Sequence, residues 1–378
     1  IDADTLARLP LLAPQSLRPL VLPNAAQASL SRRVRACHRL VRDIARSKVR
    51  IKALVRALLP MTPLSGALSK TDLAILERTG ADPQRLVKLG LSGLSRLATK
   101  ASAGHLGREY AEYWLAAARD ALALYDGHRA MAYEDHAAEI MTEVALLHAY
   151  QAQLALQEKA REDAYLRADP LQLARSLPGV AEVGGPVLTA LVGEVTRFPS
   201  AAHFRSYTGL APQASETGDS DRKGQRMSKA GPDLLRTTLI RAADTARQQD
   251  PQLARIYYLQ MTASGAPHLK ALCVVASHLA LRLYRVLRRG SPYQVCDIDG
   301  RPVSAAEAKE LIKANWMVPE EVRRKRRSRK TRKAPQQVLV GDAKRTLRAR
   351  ARRPSSTPIL PPSSERETPA RLRTCVPT

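Results

Sequence analysis

The stretch from residue 212 to residue 231, PQASETGDSDRKGQRMSKAG, places hydroxyls, glycines and cations close together. Seven of its twenty residues are Ser, Thr or Gly, and four are Lys or Arg. A hydroxyl can attack a phosphodiester as a nucleophile, and cations stabilise the charge that grows on the phosphoryl group during the attack. The stretch therefore contains the groups needed for phosphoryl-ester chemistry or for phosphate binding.

The candidate groups of this stretch fall into three sets. The hydroxyls are Ser215, Thr217, Ser220 and Ser228, the glycine hinges are Gly218, Gly224 and Gly231, and the cations are Arg222, Lys223, Arg226 and Lys229. A hydroxyl alone is a weak nucleophile at neutral pH and needs a base or a metal ion, and the stretch contains no His. Composition alone therefore favours a phosphate-binding loop without chemistry. Hydroxyls that only make turn or cap hydrogen bonds are a further alternative.

A second glycine-rich turn precedes this stretch, at Gly179, Gly184 and Gly185, and an apolar helical pattern follows it. The arrangement resembles half of a helix-hairpin-helix, in which a turn presents backbone N–H groups to phosphate at a helix N-terminus. A helix C-cap without a ligand is the alternative. A predicted helix from Pro232 to Asp250 carries Arg236, which we take as a further candidate DNA contact.

The charge of the chain points to a polyanionic partner. The 378 residues carry a net charge of +26, and such an imbalance favours association with nucleic acid. Between residues 323 and 353, fifteen of thirty-one residues are Lys or Arg, which predicts a basic arm that contacts phosphates. A genome rich in arginine codons is the alternative explanation of the total charge, but it does not explain the clustering.

Two long helical patterns dominate the first half of the chain. From Ala25 to Leu59 apolar residues recur in alternating steps of four and three, with Lys48 at the one missed position. Such a heptad seam indicates a coiled coil. The second pattern, at about 106–165 with a break near Gly127, is richer in acidic residues. We expect the basic helix to pack antiparallel on the acidic one, as a spacer between domains or as a dimerisation element.

These patterns together predict a mainly α fold with one small β-hairpin, at Tyr293–Ser304. The predicted regions are residues 1–24 as a linker, 25–169 as the helical coiled coil, 170–320 as a nucleic-acid-acting domain, 321–353 as the basic arm and 354–378 as a Pro/Ser-rich tail. The four cysteines lie far apart and form no CxxC pair, which fits a reducing cytoplasm. No apolar run approaches a membrane span, so we expect no membrane partner.

The order of blocks PGV, TAL, RFPSAAHFRSYTGLAP and SETGDSDRKGQRMSKAGPDLLRTTL resembles the C-terminal domain of insertion-sequence one-ten family transposases, which include pilin-gene inverting recombinases. The resemblance is strong over about Leu177–Arg241. It implies DNA as the substrate, a nucleophilic Ser, a covalent protein–DNA intermediate, a structured guide RNA from the element and a homo-oligomer, a dimer or tetramer, that shares its active site. It also implies a nucleoid-associated protein of a bacterial cytoplasm.

The resemblance further implies an N-terminal RuvC-like domain of the RNase H type, whose acidic residues bind Mg²⁺. The opening IDADTLARL aligns with the last acidic motif of that domain, so that Asp2 is the candidate metal ligand and Asp4 a second choice. The other acidic residues would precede residue 1. We therefore expect a chain that keeps only the last helix of the RuvC-like domain and that is inactive on its own.

The residue at the expected position of the nucleophile differs from the one that the family has there. The serine of the family directly precedes a glycine, whereas here Thr217 precedes Gly218 and Ser215 lies two positions earlier. Both residues remain candidates. The alternative to catalysis is a transposase remnant that binds DNA or RNA without cutting it.

Overall fold

The structure, a computed structural model, describes residues 3–14, 21–64, 66–125, 131–213, 216–217, 220–221 and 226–326. These residues form a mainly α-helical fold, which confirms the predicted fold class. The predicted basic arm beyond residue 326 and the predicted tail lie outside the described residues. None of the described helices is long and apolar enough to cross a membrane.

Thirteen α-helices and one pair of short strands make up the described part of the chain. The helices are α1 (Ala3–Leu12), α2 (Ala25–Leu58), α3 (Lys70–Thr79), α4 (Pro83–Ala101), α5 (Arg108–Leu124), α6 (Tyr133–Ala168), α7 (Gly184–Val192), α8 (Ala201–Tyr207), α9 (Asp233–Ala246), α10 (Pro251–Thr262), α11 (His268–Arg289), α12 (Ala305–Asn315) and α13 (Glu320–Lys325). The strands are β1 (Glu216–Thr217) and β2 (Ser220–Asp221).

The two long helices α2 and α6 pack antiparallel, as the sequence predicted. Arg33 Nη1 on α2 donates to Gln157 Oε1 on α6 over 2.9 Å. Further along, the Ser47 hydroxyl donates to the carbonyl oxygen of Glu143 over 3.3 Å, and Arg50 forms an ion pair with the Glu143 carboxylate. Because higher numbers on α2 meet lower numbers on α6, the helices run in opposite directions. The basic helix thus lies on the acidic one.

The heptad seam predicted along α2 is correct at both ends and wrong in the middle. Leu30 and Val34 are buried near its start, and Ile51 and Val55 near its end, but Val41 is 49% exposed. Ser47 is buried instead of the expected position 48. Cys37, Ile51 and Leu58 remain buried at multiples of seven residues from Leu30, so the seam continues through the helix. At its centre the Ser47 hydroxyl faces α6, where it bonds the Glu143 carbonyl.

The helices α3, α4 and α5 share one core with the end of α2 and the first half of α6. Trp114 on α5 is fully buried there, together with Leu86 and Leu94 on α4. Helix α5 ends at Leu124 and α6 begins at Tyr133, so the predicted break near Gly127 separates two helices. The residues from 126 to 130 lie outside the described part of the chain.

A second core lies in the C-terminal half, around α9 and α11. Leu235 and Leu239 on α9 and Leu279 on α11 are fully buried in it, as is Phe204 on α8. The paired strands predicted at 293–304 are absent from this described segment, which holds one isolated bridge between Cys296 and Pro302. The backbone reverses direction between these two residues. The predicted hairpin is therefore present as a turn with one bridge and not as two paired strands.

Candidate nucleic-acid interface

The described parts of the hydroxyl- and cation-rich stretch pair as two antiparallel arms. Thr217 in β1 lies opposite Ser220 in β2. Nearer the core, the Gln213 N–H donates to the Arg226 carbonyl over 2.7 Å, and Pro212 and Met227 form a bridge. The sequence had predicted a glycine-hinged loop. The two arms instead satisfy each other's backbone hydrogen-bonding groups, which gives the described parts a defined geometry. We refer to residues 212–229 as the ribbon.

Two glycines close the base of the ribbon. Gly209 and Gly231 have φ values of +70° and +78°, which favour glycine. A Cβ at position 209 would overlap the carbonyl oxygen of Ala230, and one at position 231 would overlap the carbonyl oxygen of Tyr207. Gly231, predicted as a hinge, is therefore a point of close backbone approach.

Arg236 on α9 fixes the end of the second arm. Its Nη1 donates to the main-chain oxygen of Lys229 over 2.9 Å, and its Nη2 lies 2.5 Å from Asp233 Oδ1. The side chain is only 10% exposed. The described contacts of this predicted DNA-binding residue are all within the chain, and they hold the ribbon against α9. A contact between Arg236 and DNA stays a prediction.

A groove of about 580 Å³ runs between the base of the ribbon and the first half of α11. Its apolar lining includes Leu210, Met227, Leu269, Val274 and Leu281, and its cations are Arg205, Arg226, Lys229 and Lys270. None of the described residues that line it is Asp or Glu. None of these four cations forms an ion pair within the described part of the chain. Several cations beside an apolar lining, where the dielectric constant is low, concentrate a positive potential that attracts polyanions.

His278 lies in the same groove and is uncharged at neutral pH. Burial lowers the pKa of its imidazole, and Arg282 and Arg205 lower this pKa further. A cation beside a buried imidazole disfavours protonation because two like charges would then face each other. The positive charge of the groove at pH 7 therefore comes from its arginines and lysines.

Two of the groove cations, Arg205 and Lys270, were missed by the sequence analysis. Arg205 is on α8 and Lys270 is on α11, on opposite sides of the ribbon in sequence. Neither belongs to a local motif. Only the packing of α8 and α11 around one core brings these residues to the base of the ribbon, so no signal in the sequence marked them.

The structure does not describe the side chains of several predicted site residues. Ser215, Arg222, Lys223 and Asp2 lie outside the described residues, and Thr217 is placed by its backbone alone. Arg226 and Lys229 are exposed beside the groove. Of the predicted cations, these two are the ones that the structure brings to a common surface.

The three glycines of the second turn lie just before and at the start of α7, and Gly185 is the buried one. The Gly179 N–H donates to Gln249 Oε1 over 2.9 Å, and the Gly185 N–H donates to the Ala181 carbonyl over 3.0 Å. A Cβ on Gly179 would overlap the carbonyl oxygen of Ala242 on α9. Gly184 packs beside Val180. Two of the three amides are thus engaged within the chain, and phosphate binding by this turn stays a prediction.

The described residues contain no group of three or more His, Cys, Asp or Glu side chains that would hold a metal ion. Asp4 on α1 pairs with Arg8 over 3.0 Å at the surface. A Mg²⁺ ion prefers several oxygen ligands in octahedral geometry, and the described chain does not offer that set. The predicted Mg²⁺ site at Asp2 therefore stays an expectation from the resemblance.

Fold and site together define a helical protein with a cation-lined surface for a polyanion. Residues 171–259, which include the glycine turn, the ribbon and α9, match the model of the transposase IS116/IS110/IS902 family. This part of the chain is therefore similar to that transposase family, which is the family that the resemblance predicted.

Individual relatives support the same assignment. The chain is 35% identical over 137 residues to the uncharacterized 43.6 kDa protein of insertion element IS110 from Streptomyces coelicolor, covering 36% of this chain and 33% of that protein. It is 26% identical over 121 residues to the pilin gene-inverting protein of Moraxella lacunata, covering 32% of this chain and 38% of that protein. The matched part thus spans little more than a third of these relatives.

Proposed function

We propose that this chain acts on DNA in transposition or inversion, and that the ribbon and its groove form the DNA-contacting surface. The proposal rests on one observation: the residues that match the family model include the ribbon side of this surface. Residues 171–259 contain the whole ribbon, and the ribbon's exposed Arg226 and Lys229 border a groove whose described lining includes no Asp or Glu. Cations without acidic partners are suited to neutralising backbone phosphates.

The chemical step that we propose is a nucleophilic attack by a ribbon hydroxyl on a backbone phosphorus. The oxygen of Ser215 or Thr217 forms a new bond to phosphorus, and the bond from phosphorus to one deoxyribose oxygen breaks. The side chain loses its proton to solvent water, and the leaving deoxyribose oxygen gains a proton. A deoxyribose hydroxyl of another strand then attacks the phosphoester and releases the side chain, which completes the exchange.

The cations of the ribbon have a separate role in this proposal. Arg222, Lys223, Arg226 and Lys229 stabilise the charge on the phosphoryl oxygens as the new bond forms. The amides of Gly179, Gly184 and Gly185 and the Arg236 guanidinium are kept as further proposed DNA contacts. No step is assigned to Mg²⁺, whose site is proposed at Asp2 from the resemblance.

The resemblance supplies three proposals on assembly. A structured RNA from the element guides the choice of DNA, the protein works as a dimer or tetramer, and a RuvC-like part completes the active site. The α2–α6 pair serves in this scheme as a coiled coil that spaces or pairs subunits. The antiparallel packing of the basic helix on the acidic helix supports the spacer role.

The binding part of the proposal is tested by the salt dependence of DNA affinity. We expect the double variant Arg226→Gln/Lys229→Gln to bind a short DNA duplex more weakly, and to lower the slope of log affinity against log salt by about 2, since each lost phosphate contact contributes about 0.9. Fluorescence anisotropy at several salt concentrations measures this. The control Lys100→Gln/Lys159→Gln removes the same charge from exposed positions on α4 and α6. Equal slopes in both variants would contradict the ribbon assignment.

The catalytic part is tested by trapping the covalent intermediate. Because we expect the chain to be inactive on its own, it is combined with a RuvC-like part of the family, incubated with end-labelled DNA and separated on a denaturing gel, where a protein–DNA adduct migrates with the protein. Ser215→Ala or Thr217→Ala, whichever removes the nucleophile, abolishes the adduct while DNA binding persists. Absence of any adduct from a chain that binds DNA would favour the second candidate function, a non-catalytic DNA- or RNA-binding protein.

A further inference from the structure

A second cluster of cations surrounds a cavity of about 390 Å³ at the other end of α9. The side chains from α12, α13 and the end of α9 that line it include Arg247, Gln248, Lys309, Lys313, Trp316 and Arg323. Its volume lies within the range of about 300–1,000 Å³ that is typical of small-ligand sites. Neither the family match nor the ribbon assigns a role to this cavity, since α12 and α13 lie beyond residue 259.

The charge of this cavity is not balanced within the described chain. Arg247 pairs with Asp244 over 2.7 Å. Lys309, Lys313 and Arg323 form no ion pair with any described residue. The nearby carboxylates, Glu307, Glu310, Glu320 and Glu321, belong to the same helices but do not line the cavity. Glu307 instead accepts a hydrogen bond from the Ser304 N–H as part of the α12 cap.

The side chains beneath the cavity respond to this positive charge. His268 accepts or donates a hydrogen bond of 2.7 Å at Nδ1 with the Tyr257 hydroxyl. Burial lowers the pKa of His268, Asp244 raises it, and Arg247 and Arg323 lower it further. The same two arginines also act to lower the pKa of Tyr257 against a larger effect of burial. Two guanidinium groups from different elements therefore act on the same point.

We infer that this cavity binds a backbone phosphate of nucleic acid, at a point separate from the ribbon. Arg236 and Arg247 lie eleven residues apart on α9 and its cap, which corresponds to roughly 16 Å along a helix axis. One nucleic acid can therefore bridge the ribbon and the cavity. The inference deepens the proposed function and rests on it for the identity of the polyanion. Helix α13 also begins the lysine- and arginine-rich run from residue 323, so the cavity lies where the basic arm starts.

The partly exposed Trp316 provides a direct reporter for this site. The chain has two tryptophans, and the other, Trp114, is fully buried in the separate core of α4 and α5. Titration with sodium pyrophosphate and, separately, with a short DNA duplex at constant ionic strength should change Trp316 emission. Trp316→Phe removes that change. We expect Lys309→Gln/Lys313→Gln to raise both midpoints about tenfold, whereas Lys100→Gln/Lys159→Gln leaves them unaltered.

The possible results separate this inference from the proposed function. A response to pyrophosphate but not to DNA would show a site for a small phosphate compound and overturn the nucleic-acid assignment. Midpoints that do not move in Lys309→Gln/Lys313→Gln would overturn the site itself, provided that circular dichroism shows an intact fold. If Arg226→Gln/Lys229→Gln leaves DNA affinity unchanged while the cavity variant weakens it, the cavity stands and the ribbon assignment fails.

Discussion

Nη1 of Arg236 lies 2.9 Å from the main-chain oxygen of Lys229, and this hydrogen bond joins the first turns of α9 to the end of the ribbon. Lys229 has a φ of +54°, which is uncommon for a residue other than glycine. The bond and the adjacent Gly231 therefore support a backbone conformation that a lysine rarely adopts alone. The orientation of Lys229 toward the groove depends on this support.

Replacing Arg236 tests that support. We expect Arg236→Gln to lower the free energy of unfolding by about 1–3 kcal/mol, because the Lys229 carbonyl and Asp233 lose a charged hydrogen-bond donor. Urea unfolding followed by circular dichroism measures the change. Arg241→Gln, at an exposed position on the same helix, is the matched control. Equal stabilities of the two variants would show that Arg236 does not hold the ribbon.

A substitution at Gly179 tests how much a close contact with a neighbouring backbone costs, beyond the cost of placing a side chain at a positive φ. Gly179 and Gly290 have similar φ values, +75° and +68°, but only a Cβ at position 179 would meet other atoms, on α9. Gly290→Ala should destabilise by about 1 kcal/mol through strain alone. We expect Gly179→Ala to lower the free energy of unfolding by about 1–3 kcal/mol more than Gly290→Ala does, because the turn at Gly179 and α9 must move apart. Chemical denaturation of both variants gives the comparison, and similar losses would rule out the close contact.

Glu143 is the buried acceptor between α2 and α6. Its side chain is 10% exposed and meets both the Arg50 guanidinium and the Ser47 hydroxyl, the latter over 3.3 Å. We expect Glu143→Ala to destabilise the fold by about 1–3 kcal/mol, since the Arg50 guanidinium loses its carboxylate partner and the Ser47 hydroxyl keeps only the main-chain carbonyl of residue 143 as acceptor. Thermal unfolding monitored at 222 nm (a helix signal) reports it. Glu139→Ala, exposed on the same helix, should change stability far less, and the opposite ranking would contradict the contact.

The stability of the fold should fall in mild acid because of His268. Its pKa is lowered in the folded state, chiefly by burial. The folded protein therefore binds fewer protons than the unfolded chain once the pH falls below the unfolded value of about 6.5. The contribution of His268 to the free energy of unfolding is therefore complete above that pH and is lost as the pH falls toward the lowered pKa of His268 in the folded state.

Unfolding in urea at a series of pH values from neutral to mildly acidic tests this dependence. We expect His268→Gln to show a smaller decrease of stability with falling pH than the unaltered chain, although His278 keeps part of the decrease because burial lowers its pKa as well. His203→Gln, at an exposed position on α8, should retain the full decrease. An unchanged pH dependence in His268→Gln would disprove the role of this imidazole.

Much of the helical framework could be read from local patterns. The helix predicted from Pro232 to Asp250 appears as α9, from Asp233 to Ala246, and α2 begins at the predicted Ala25. These elements are strongly periodic, and periodicity is a local signal. The prediction for the centre of α2 was wrong because the buried residue there is Ser47, which bonds the Glu143 carbonyl and, being polar, gives no apolar signal in the sequence. The ribbon was taken for a loop because its polar residues show no strand alternation.

The sequence by itself determined a mainly helical protein, the pairing of a basic helix with an acidic one, and a stretch of hydroxyls and cations that marks a transposase family. Only the tertiary structure decided which charges share a surface. It turned Arg236 inward toward Lys229, brought Arg205 and Lys270 to the ribbon from distant helices, and gathered Lys309, Lys313 and Arg323 around one cavity. The physical reason is that composition and periodicity are local, whereas the direction and neighbours of a side chain depend on how its helix packs against the core.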